Sequence, residues 1–224
     1  MNQTFADRAE AGVRLARECG PAAAGRPVVL AIPRGGVEVG ATLAAAIDAD
    51  FDVVLSRKLR APHQPELAIG AVSEDGAVHL VAGWDRVPGV TSAWIEAERA
   101  VQLEEMARRR SLIRAVRPAV PLAGRHVIVT DDGIATGATM IAALRTVRGS
   151  GAASVTVAVP VAPPDRLAEI RPLCDRLVCL LAPDSFLAVG QFYRAFDQVD
   201  DDRVVDLLRG AGGARGESGP SSPS

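Results

Sequence analysis

The sequence predicts an α/β fold, with three α/β/α layers around a mostly parallel, doubly wound sheet. Short β-branched runs alternate along the chain with longer segments of helical periodicity. The runs are nearly continuous in apolar residues, which is typical of strands covered on both faces in a parallel sheet. Two glycine-rich loops each follow such a run and open a helical segment, an arrangement that suits anion binding.

The elements follow in order along the chain. The predicted strands are Val28–Ile32, Asp52–Ser56, His126–Thr130, Ser154–Pro160 and Arg176–Leu181. The predicted helices are Thr4–Cys19, Val37–Ile47, Ser92–Val116, Ala138–Gly149, Pro164–Leu173 and Asp200–Leu208. Between 57 and 91 the alternation breaks, and Glu74-Asp75-Gly76 predicts a hairpin turn between Ala68–Val72 and Ala77–Val81. A long insertion after a strand indicates a functional lid.

Length and charge are those of an ordinary globular protein. The chain has 224 residues, 48% hydrophobic and 23% charged, with a net charge of −2. We predict one domain over residues 1–209 and a disordered Gly/Ser/Pro tail over 210–224. The balanced charge argues against nucleic-acid binding, which depends on phosphate neutralisation. Because no run is long enough for a membrane helix and no apolar signal core is present, we expect a cytoplasmic protein that binds no membrane.

The strongest chemical signal is the run HVIVTDDGIATGATM at 126–140, in which a hydrophobic strand, two carboxylates and a Gly/Thr loop precede a helix. A helix N-terminus presents unpaired N–H groups and glycines let the backbone wrap an anion, so the loop Gly133–Thr139 suits one phosphate. Asp131 and Asp132 can accept hydrogen bonds from vicinal hydroxyls and help hold a divalent cation. A phosphate beside a diol indicates a ribose 5-phosphate.

Two other interpretations of this run are weaker. A strand end followed by an acidic helix cap needs only one Asp. A Walker ATP site needs the GxxxxGK[ST] spacing, which is absent, and a lysine that this loop does not contain. Nucleoside triphosphate hydrolysis is therefore disfavoured.

The stretch Val127–Thr139 closely resembles the diphosphoribosyl-binding signature of type I phosphoribosyltransferases, and the resemblance extends over roughly residues 26–208. It implies a sheet of strand order 321456 with strand 3 antiparallel. It implies that Asp131 and Asp132 bind the ribose hydroxyls of phosphoribosyl diphosphate. The residues that it assigns to the 5-phosphate are Gly133, Ile134, Ala135, Thr136, Gly137, Ala138 and Thr139.

The first glycine loop of the chain, Ala31–Gly40, follows a strand and opens a helix, as the second glycine loop, Gly133–Thr139, also does. A tight strand-to-helix turn needs glycine in any case, so the loop alone is weak evidence for a site. In the family this loop binds pyrophosphate, often through a cis peptide, and the matching residues are Arg34, Gly35 and Gly36. The family's strand order places both glycine loops where the order reverses, which is where such sheets bind ligands.

Arg57 and Lys58 end the second predicted strand and begin the insertion 57–91. A solvated sheet edge is one explanation for two cations here, but in the family a Lys or Arg at this place contacts the pyrophosphate. The resemblance also implies that the insertion is the flexible loop that closes over the diphosphate. Glu66 is the one carboxylate before the hairpin, and the sequence leaves open whether it is catalytic or a cap.

Aromatic residues cluster at Phe186, Phe192, Tyr193 and Phe196. Core packing is the ordinary explanation for such a cluster. The family builds part of its acceptor pocket in this region, so the resemblance implies that Phe192 and Tyr193 line it. Ala135 stands where the 6-oxopurine enzymes carry an acid, so hypoxanthine and guanine fit poorly.

The long helix Ser92–Val116 carries a group of arginines, which we predict to lie on its solvated face. A local nucleic-acid-binding patch is the alternative that the sequence leaves open for them. The arginines are Arg99, Arg108, Arg109, Arg110 and Arg114.

The resemblance implies a Mg²⁺-dependent enzyme that transfers ribose 5-phosphate from phosphoribosyl diphosphate to a small-molecule acceptor, a nitrogenous base, and releases pyrophosphate. Arg34, Lys58 and Mg²⁺ would stabilise the leaving group, with Glu66 as a further catalytic candidate, while Asp131 and Asp132 hold the ring and the metal. The alternative is a non-catalytic regulator that senses the diphosphate or a nucleotide. The sequence does not identify the acceptor or the oligomeric state, and a homodimer is one of the possible states.

Overall fold

The computed structural model describes residues 4–20 and 25–213, except for the side chains of 65–66 and 211–213. The strands in these residues are β1 (Val28–Ala31), β2 (Asp50–Val53), β3 (Ser56–Ala61), β4 (Gln64–Ser73), β5 (Val78–Leu80), β6 (His126–Thr130), β7 (Ser154–Val161) and β8 (Arg176–Leu181). The α-helices are α1 (Arg8–Cys19), α2 (Gly36–Ala46), α3 (Ser92–Val116), α4 (Ala138–Gly149), α5 (Pro164–Ile170) and α6 (Asp201–Gly213). Short 3-10 helices lie at Trp84–Arg86, Arg171–Leu173 and Val189–Phe192.

The central sheet buries side chains on both of its faces. In β1 all four side chains are buried, and they alternate between two core clusters. Val29 belongs to a cluster with side chains of α1, α2, α3 and α6, whereas Val28 belongs to a cluster with side chains of α4 and α5. The sheet therefore lies between two helical layers. This confirms the three-layer α/β/α class that the continuous apolar runs predict.

All strands of the central sheet are parallel, in the order β2-β1-β6-β7-β8. This order matches strands 2, 1, 4, 5 and 6 of the expected 321456 arrangement. The antiparallel strand 3 is the difference, because antiparallel pairing occurs in a second sheet of order β3-β4-β5. Since β1 and β6 are neighbours, the two glycine loops leave the same edge of the sheet side by side.

Much of the insertion 57–91 forms the β3-β4-β5 sheet, and several of its side chains are buried in the core. β3 and β4 form a hairpin that the sequence did not predict, and the β4–β5 turn lies at Gly76 as predicted. Leu59, Ile69 and Val72 are fully buried in the core that β1 also enters. A movement of the whole segment would expose these apolar side chains to water. A closing movement of its unburied parts stays a prediction.

Several element boundaries differ from the predicted ones. The second strand ends at Val53 rather than Ser56, because the chain there crosses to β3. Helix α1 begins at Arg8 rather than Thr4, after Asp7 caps it by accepting a hydrogen bond from the Glu10 N–H. Helix α6 continues through Gly213, so it includes the first four residues of the predicted tail. Residues 214–224 of that tail lie outside the described residues, and none of the described helices is long and apolar enough to span a membrane.

Candidate functional site

The acidic pair Asp131 and Asp132 lies directly after β6 and against the first glycine loop. A Cβ atom on Gly35 would come within 2.6 Å of Asp132 Cγ, and one on Gly36 within 2.9 Å of Asp131 Cα. Both positions therefore require glycine for the two loops to meet. The peptide bond between Pro33 and Arg34, at the start of this loop, is cis. The sequence prediction that the two loops form one site is in agreement with this contact.

Arg8 is a member of the site that the sequence did not indicate. Its guanidinium is buried, and Nε donates a 2.9 Å hydrogen bond to Asp132 Oδ2. Nη1 donates to the carbonyl oxygen of Asp197 at 2.8 Å, and the guanidinium carbon lies 3.9 Å from the centre of the Phe196 ring. The contacts with Asp197 and Phe196 thus hold the Arg8 guanidinium where it pairs with Asp132. The polar side of an amphipathic helix carries no signal that marks such a residue in advance.

The surroundings of the two carboxyl groups disfavour their ionised forms. Burial, followed by the neighbouring Asp132 carboxyl, raises the pKa of Asp131 well above its ordinary value. Burial also raises the pKa of Asp132, and Arg8 is the largest influence that opposes this rise. The charge of Lys58 lowers the pKa of both groups. A further cation or a set of hydrogen-bond donors would therefore stabilise the ionised pair.

Tyr193 supports the acidic pair from a position in the core. Its hydroxyl donates a 2.6 Å hydrogen bond to the carbonyl oxygen of Asp132. The ring is buried and contacts Phe5 and Phe196, with centroids 5.3 Å and 5.0 Å away. Both neighbouring rings and the hydroxyl contact thus hold Tyr193 in the core, and its role in the acceptor pocket stays a prediction. Phe192 is half-buried beside the Phe186 ring, and its acceptor role stays a prediction.

The second glycine loop wraps the start of α4 as predicted. Gly133 packs so closely on Val189 that a Cβ atom would lie 2.6 Å from it, and the Ile134 N–H donates to the Val161 carbonyl oxygen at 2.9 Å. Gly137 has a φ of +81°, which favours glycine, and leads into α4. Neither α4 nor α2 has a side-chain cap, so the N–H groups of both first turns remain suited to an anion. Ala135 is exposed and Thr136 half-buried.

A cavity of about 280 Å³ lies beside the first glycine loop and gathers the predicted diphosphate-binding cations. Arg34, Arg57 and Lys58 come together there although the three lie on two separate segments. Thr139, assigned by the resemblance to the 5-phosphate, also reaches this cavity. The complete lining is Pro33, Arg34, Ser56, Arg57, Lys58, Arg60, Gln102, Arg109 and Thr139.

Arg57 is held in this cavity by the buried side chain of Gln102. Its Nε donates a 2.9 Å hydrogen bond to Gln102 Oε1, and Gln102 Nε2 donates in turn to Glu98 Oε1 at 2.9 Å. Burial, and then the positive charge of Arg109, lowers the pKa of Arg57. The site therefore concentrates positive charge at a partly desolvated position, which favours a polyanion.

Arg109 of α3 and Glu66 of β4 are two further residues that the sequence analysis singled out. The expectation that all the arginines of α3 lie on a solvated face is wrong for Arg109, whose side chain is 13% exposed and faces the cavity. The periodicity of α3 marks only its apolar stripe, so it does not reveal what the polar side meets. Glu66 lies in β4, but its side chain is outside the described residues, and its role stays a prediction.

Two larger cavities of the described residues lie away from this site. One of about 620 Å³ lies between α1 and β8, and one of about 430 Å³ lies beside α3 and Glu74. Neither is lined by any residue that the sequence analysis assigned to the site. The cavity of about 280 Å³ therefore remains the candidate ligand-binding site, because the predicted diphosphate-binding cations line it.

A family model described as phosphoribosyl transferase domain matches residues 8–197. Two Mycobacterium tuberculosis proteins, from strains CDC 1551 / Oshkosh and ATCC 25618 / H37Rv, are each 44% identical over 204 residues, and their names assign them provisionally to the phosphoribosyl transferases. The match covers 91% of this chain and 46% of theirs, so the chain spans about half the length of these relatives. The crystal structure of TT1426 from Thermus thermophilus is similar with a TM-score of 0.77 at 40% identity, covering 92% of this chain and 98% of that one. The chain therefore belongs to the phosphoribosyl transferase domain family.

Proposed function

We propose that this domain transfers ribose 5-phosphate from phosphoribosyl diphosphate to a nitrogenous base and releases pyrophosphate. One observation carries the proposal. A partly buried carboxylate pair that suits a ribose diol lies against a loop whose Arg34 lines a cation-rich cavity. Lys58 connects the two regions, because it lines the cavity while its charge acts on both Asp131 and Asp132.

The geometry supports division of the reaction between the two regions. As the bond to pyrophosphate breaks, positive charge develops on the ribose and negative charge on the leaving group. Asp131 and Asp132 accept hydrogen bonds from the ribose hydroxyls and hold the ring, while Arg34, Arg57 and Lys58 stabilise the departing pyrophosphate. The N–H groups at the start of α4, which no side chain caps, bind the 5-phosphate. No covalent bond to the protein is needed.

The acidic pair also fits a Mg²⁺ ion. Mg²⁺ prefers hard oxygen ligands and keeps several waters, so it needs only one or two protein carboxylates. Burial raises the pKa of both carboxyl groups, and a nearby cation would relieve that cost. The described residues contain no group of three or more His, Cys, Asp or Glu side chains placed to hold a metal, so Asp131 and Asp132 would share the ion with substrate and water. When bound, Mg²⁺ would add charge stabilisation at the diphosphate.

The test is release of pyrophosphate from phosphoribosyl diphosphate with Mg²⁺, measured against a panel of nitrogenous bases. We expect one acceptor class to support turnover and the Asp131→Asn, Asp132→Asn double variant to abolish it. The control is Arg209→Ala, which removes an exposed cation of α6 that pairs with Asp206. Tight binding of the diphosphate without pyrophosphate release for any base would contradict the enzyme and favour a sensor.

A further inference from the structure

The cavity holds more positive charge than the family resemblance led us to expect. Five of its nine lining residues are cations, and none of the described lining residues is acidic. Arg34, Arg57 and Lys58 were expected there, whereas Arg60 and Arg109 were not. Arg109 comes from α3, a helix that follows the insertion and has no part in either glycine loop.

Arg57 and Arg109 are each held through one edge of the guanidinium group. Arg57 uses Nε for Gln102, while Arg109 lies 3.1 Å from Glu105 through Nε and 3.4 Å from Asp201 through Nη2. No described residue accepts a hydrogen bond from either terminal nitrogen of Arg57 or from Nη1 of Arg109. The two guanidinium groups are thus fixed in place with donors to spare, which reduces the entropy lost when an anion binds.

The same cations repel one another. Besides burial, the charges of Arg109, Arg60 and Arg34 all lower the pKa of Arg57. A bound anion with several charges would relieve this repulsion, and a cavity of about 280 Å³ admits a compact anion rather than a nucleic-acid strand. A diphosphate group has enough oxygens to meet the donors of Arg57 and Arg109 together.

We propose that Arg109 acts with Arg57 as a binding residue for the diphosphate group, so that the chain's own cations bind inorganic pyrophosphate without a divalent metal ion. This rests on the proposed function, since the same diphosphate is the leaving group there. Binding of free pyrophosphate needs no acceptor and no turnover. Failure of the transferase reaction and failure of this inference are therefore distinguishable.

The experiment is calorimetric titration of the metal-free protein with inorganic pyrophosphate in EDTA. The matched variants are Arg109→Ala and Arg110→Ala, because Arg110 is the next residue of α3 but is exposed and lines a different cavity. We expect wild-type protein to bind, Arg109→Ala to bind about ten- to a hundredfold more weakly, and Arg110→Ala to stay within about twofold. Inorganic phosphate should bind much more weakly than pyrophosphate.

Folding of each variant is checked by its thermal unfolding curve, since Arg109 also pairs with Glu105 and Asp201. Should Arg109→Ala fail to fold, Arg109→Gln replaces it, because Gln keeps a polar side chain while it removes the charge and the guanidinium donors. Pyrophosphate binding that requires Mg²⁺ would overturn the inference. So would equal affinities of the Arg109 and Arg110 variants, or equal binding of phosphate and pyrophosphate.

Discussion

Arg8 and Asp132 lie 124 positions apart in the chain and form a buried ion pair, with 2.9 Å between Nε and Oδ2. The pair joins the first turn of α1 to the loop after β6. Glu38 lies 3.9 Å from the same guanidinium and is itself paired with Arg203 of α6. The orientation of a predicted ribose-binding carboxylate therefore depends on α1, a helix that contributes no other residue to the predicted site.

The first prediction concerns this pair. Arg8→Ala should lower the free energy of unfolding by about 3 to 5 kcal/mol, because it leaves Asp132 buried without its counter-charge. Adding Asp132→Asn should restore part of this loss, which chemical denaturation of the two single variants and the double variant would measure. The control is Arg14→Ala on the same helix, whose ion pair with Glu10 is more exposed. Independent, additive effects of Arg8 and Asp132 would contradict the coupling.

The second prediction uses the contact between the two glycine loops. Gly35 has a φ of −58°, which alanine adopts readily, so a side chain there is opposed by the clash with Asp132 and by a 3.2 Å approach to Arg8 Nε. Gly35→Ala should cost about 1 to 3 kcal/mol of stability and weaken binding of phosphoribosyl diphosphate. Gly149→Ala at the end of α4 meets no atom within 4 Å and is the matched control. Undiminished affinity in Gly35→Ala, measured by calorimetry, would mean that the ligand does not use this contact.

The third prediction separates support of the acidic pair from contact with the acceptor. Tyr193→Phe keeps the ring but removes the donor to the Asp132 carbonyl oxygen, which should cost about 1 to 3 kcal/mol of stability. The affinity for phosphoribosyl diphosphate should fall while the KM for the acceptor stays unchanged. Phe192→Leu is the comparison, since Phe192 retains a predicted acceptor role. A raised acceptor KM in Tyr193→Phe alone would instead support the predicted place of Tyr193 in the acceptor pocket.

The fourth prediction tests whether Lys58 acts on the leaving group. Contacts that strengthen in the transition state lower turnover when they are removed, whereas uniform binding contacts mainly raise KM. Lys58→Ala, measured with an acceptor found in the screen, should lose about ten- to a thousandfold in turnover and much less in diphosphate affinity. Arg86→Ala, at an exposed position of a 3-10 helix, should change neither. Wild-type turnover in Lys58→Ala would remove Lys58 from the mechanism.

The fifth prediction is a pH dependence at the residue that holds Arg109. Hydrogen bonds from Arg108, and then from Arg109, lower the pKa of Glu105 from 4.5 to about 2. A depressed pKa means that the carboxylate stabilises the folded state above pH 4.5 and loses this effect as the pH falls towards 2. Glu105→Gln should therefore be less stable by up to about 1 kcal/mol at pH 7, since the group is partly exposed.

The difference between wild type and Glu105→Gln should shrink as the pH falls below 4.5, as measured by denaturant unfolding at several pH values. High salt should shrink it as well. The adjacent exposed Glu104, which forms no ion pair among the described residues, gives the control Glu104→Gln. A stability difference that stays constant from pH 7 down to pH 3 would show that Glu105 acts through packing instead.

The sequence determined the elements whose signals are local. The strand His126–Thr130 and the helix Ala138–Gly149 have the predicted ends, because a buried apolar run and a glycine loop mark them without reference to the rest of the chain. Asp131 and Asp132 were legible for the same reason, since their partners in the motif are their own neighbours. Strand β3 was missed because the adjacent Arg57 and Lys58 break the alternation of polar and apolar residues, so that this stretch resembles a charged loop.

Only the tertiary structure decided which distant side chains complete the site. Arg8 and Arg109 lie on polar sides of helices, and periodicity tells which side of a helix is apolar but not which element the polar side meets. The structure places Tyr193 under the Asp132 carbonyl oxygen and Arg109 beside Arg57, although nothing in the local sequence couples either pair. Contacts between residues so far apart depend on how the helical layers pack on the sheet. Burial of its apolar side fixes the orientation of each element, and the neighbouring elements then determine what its polar side chains contact.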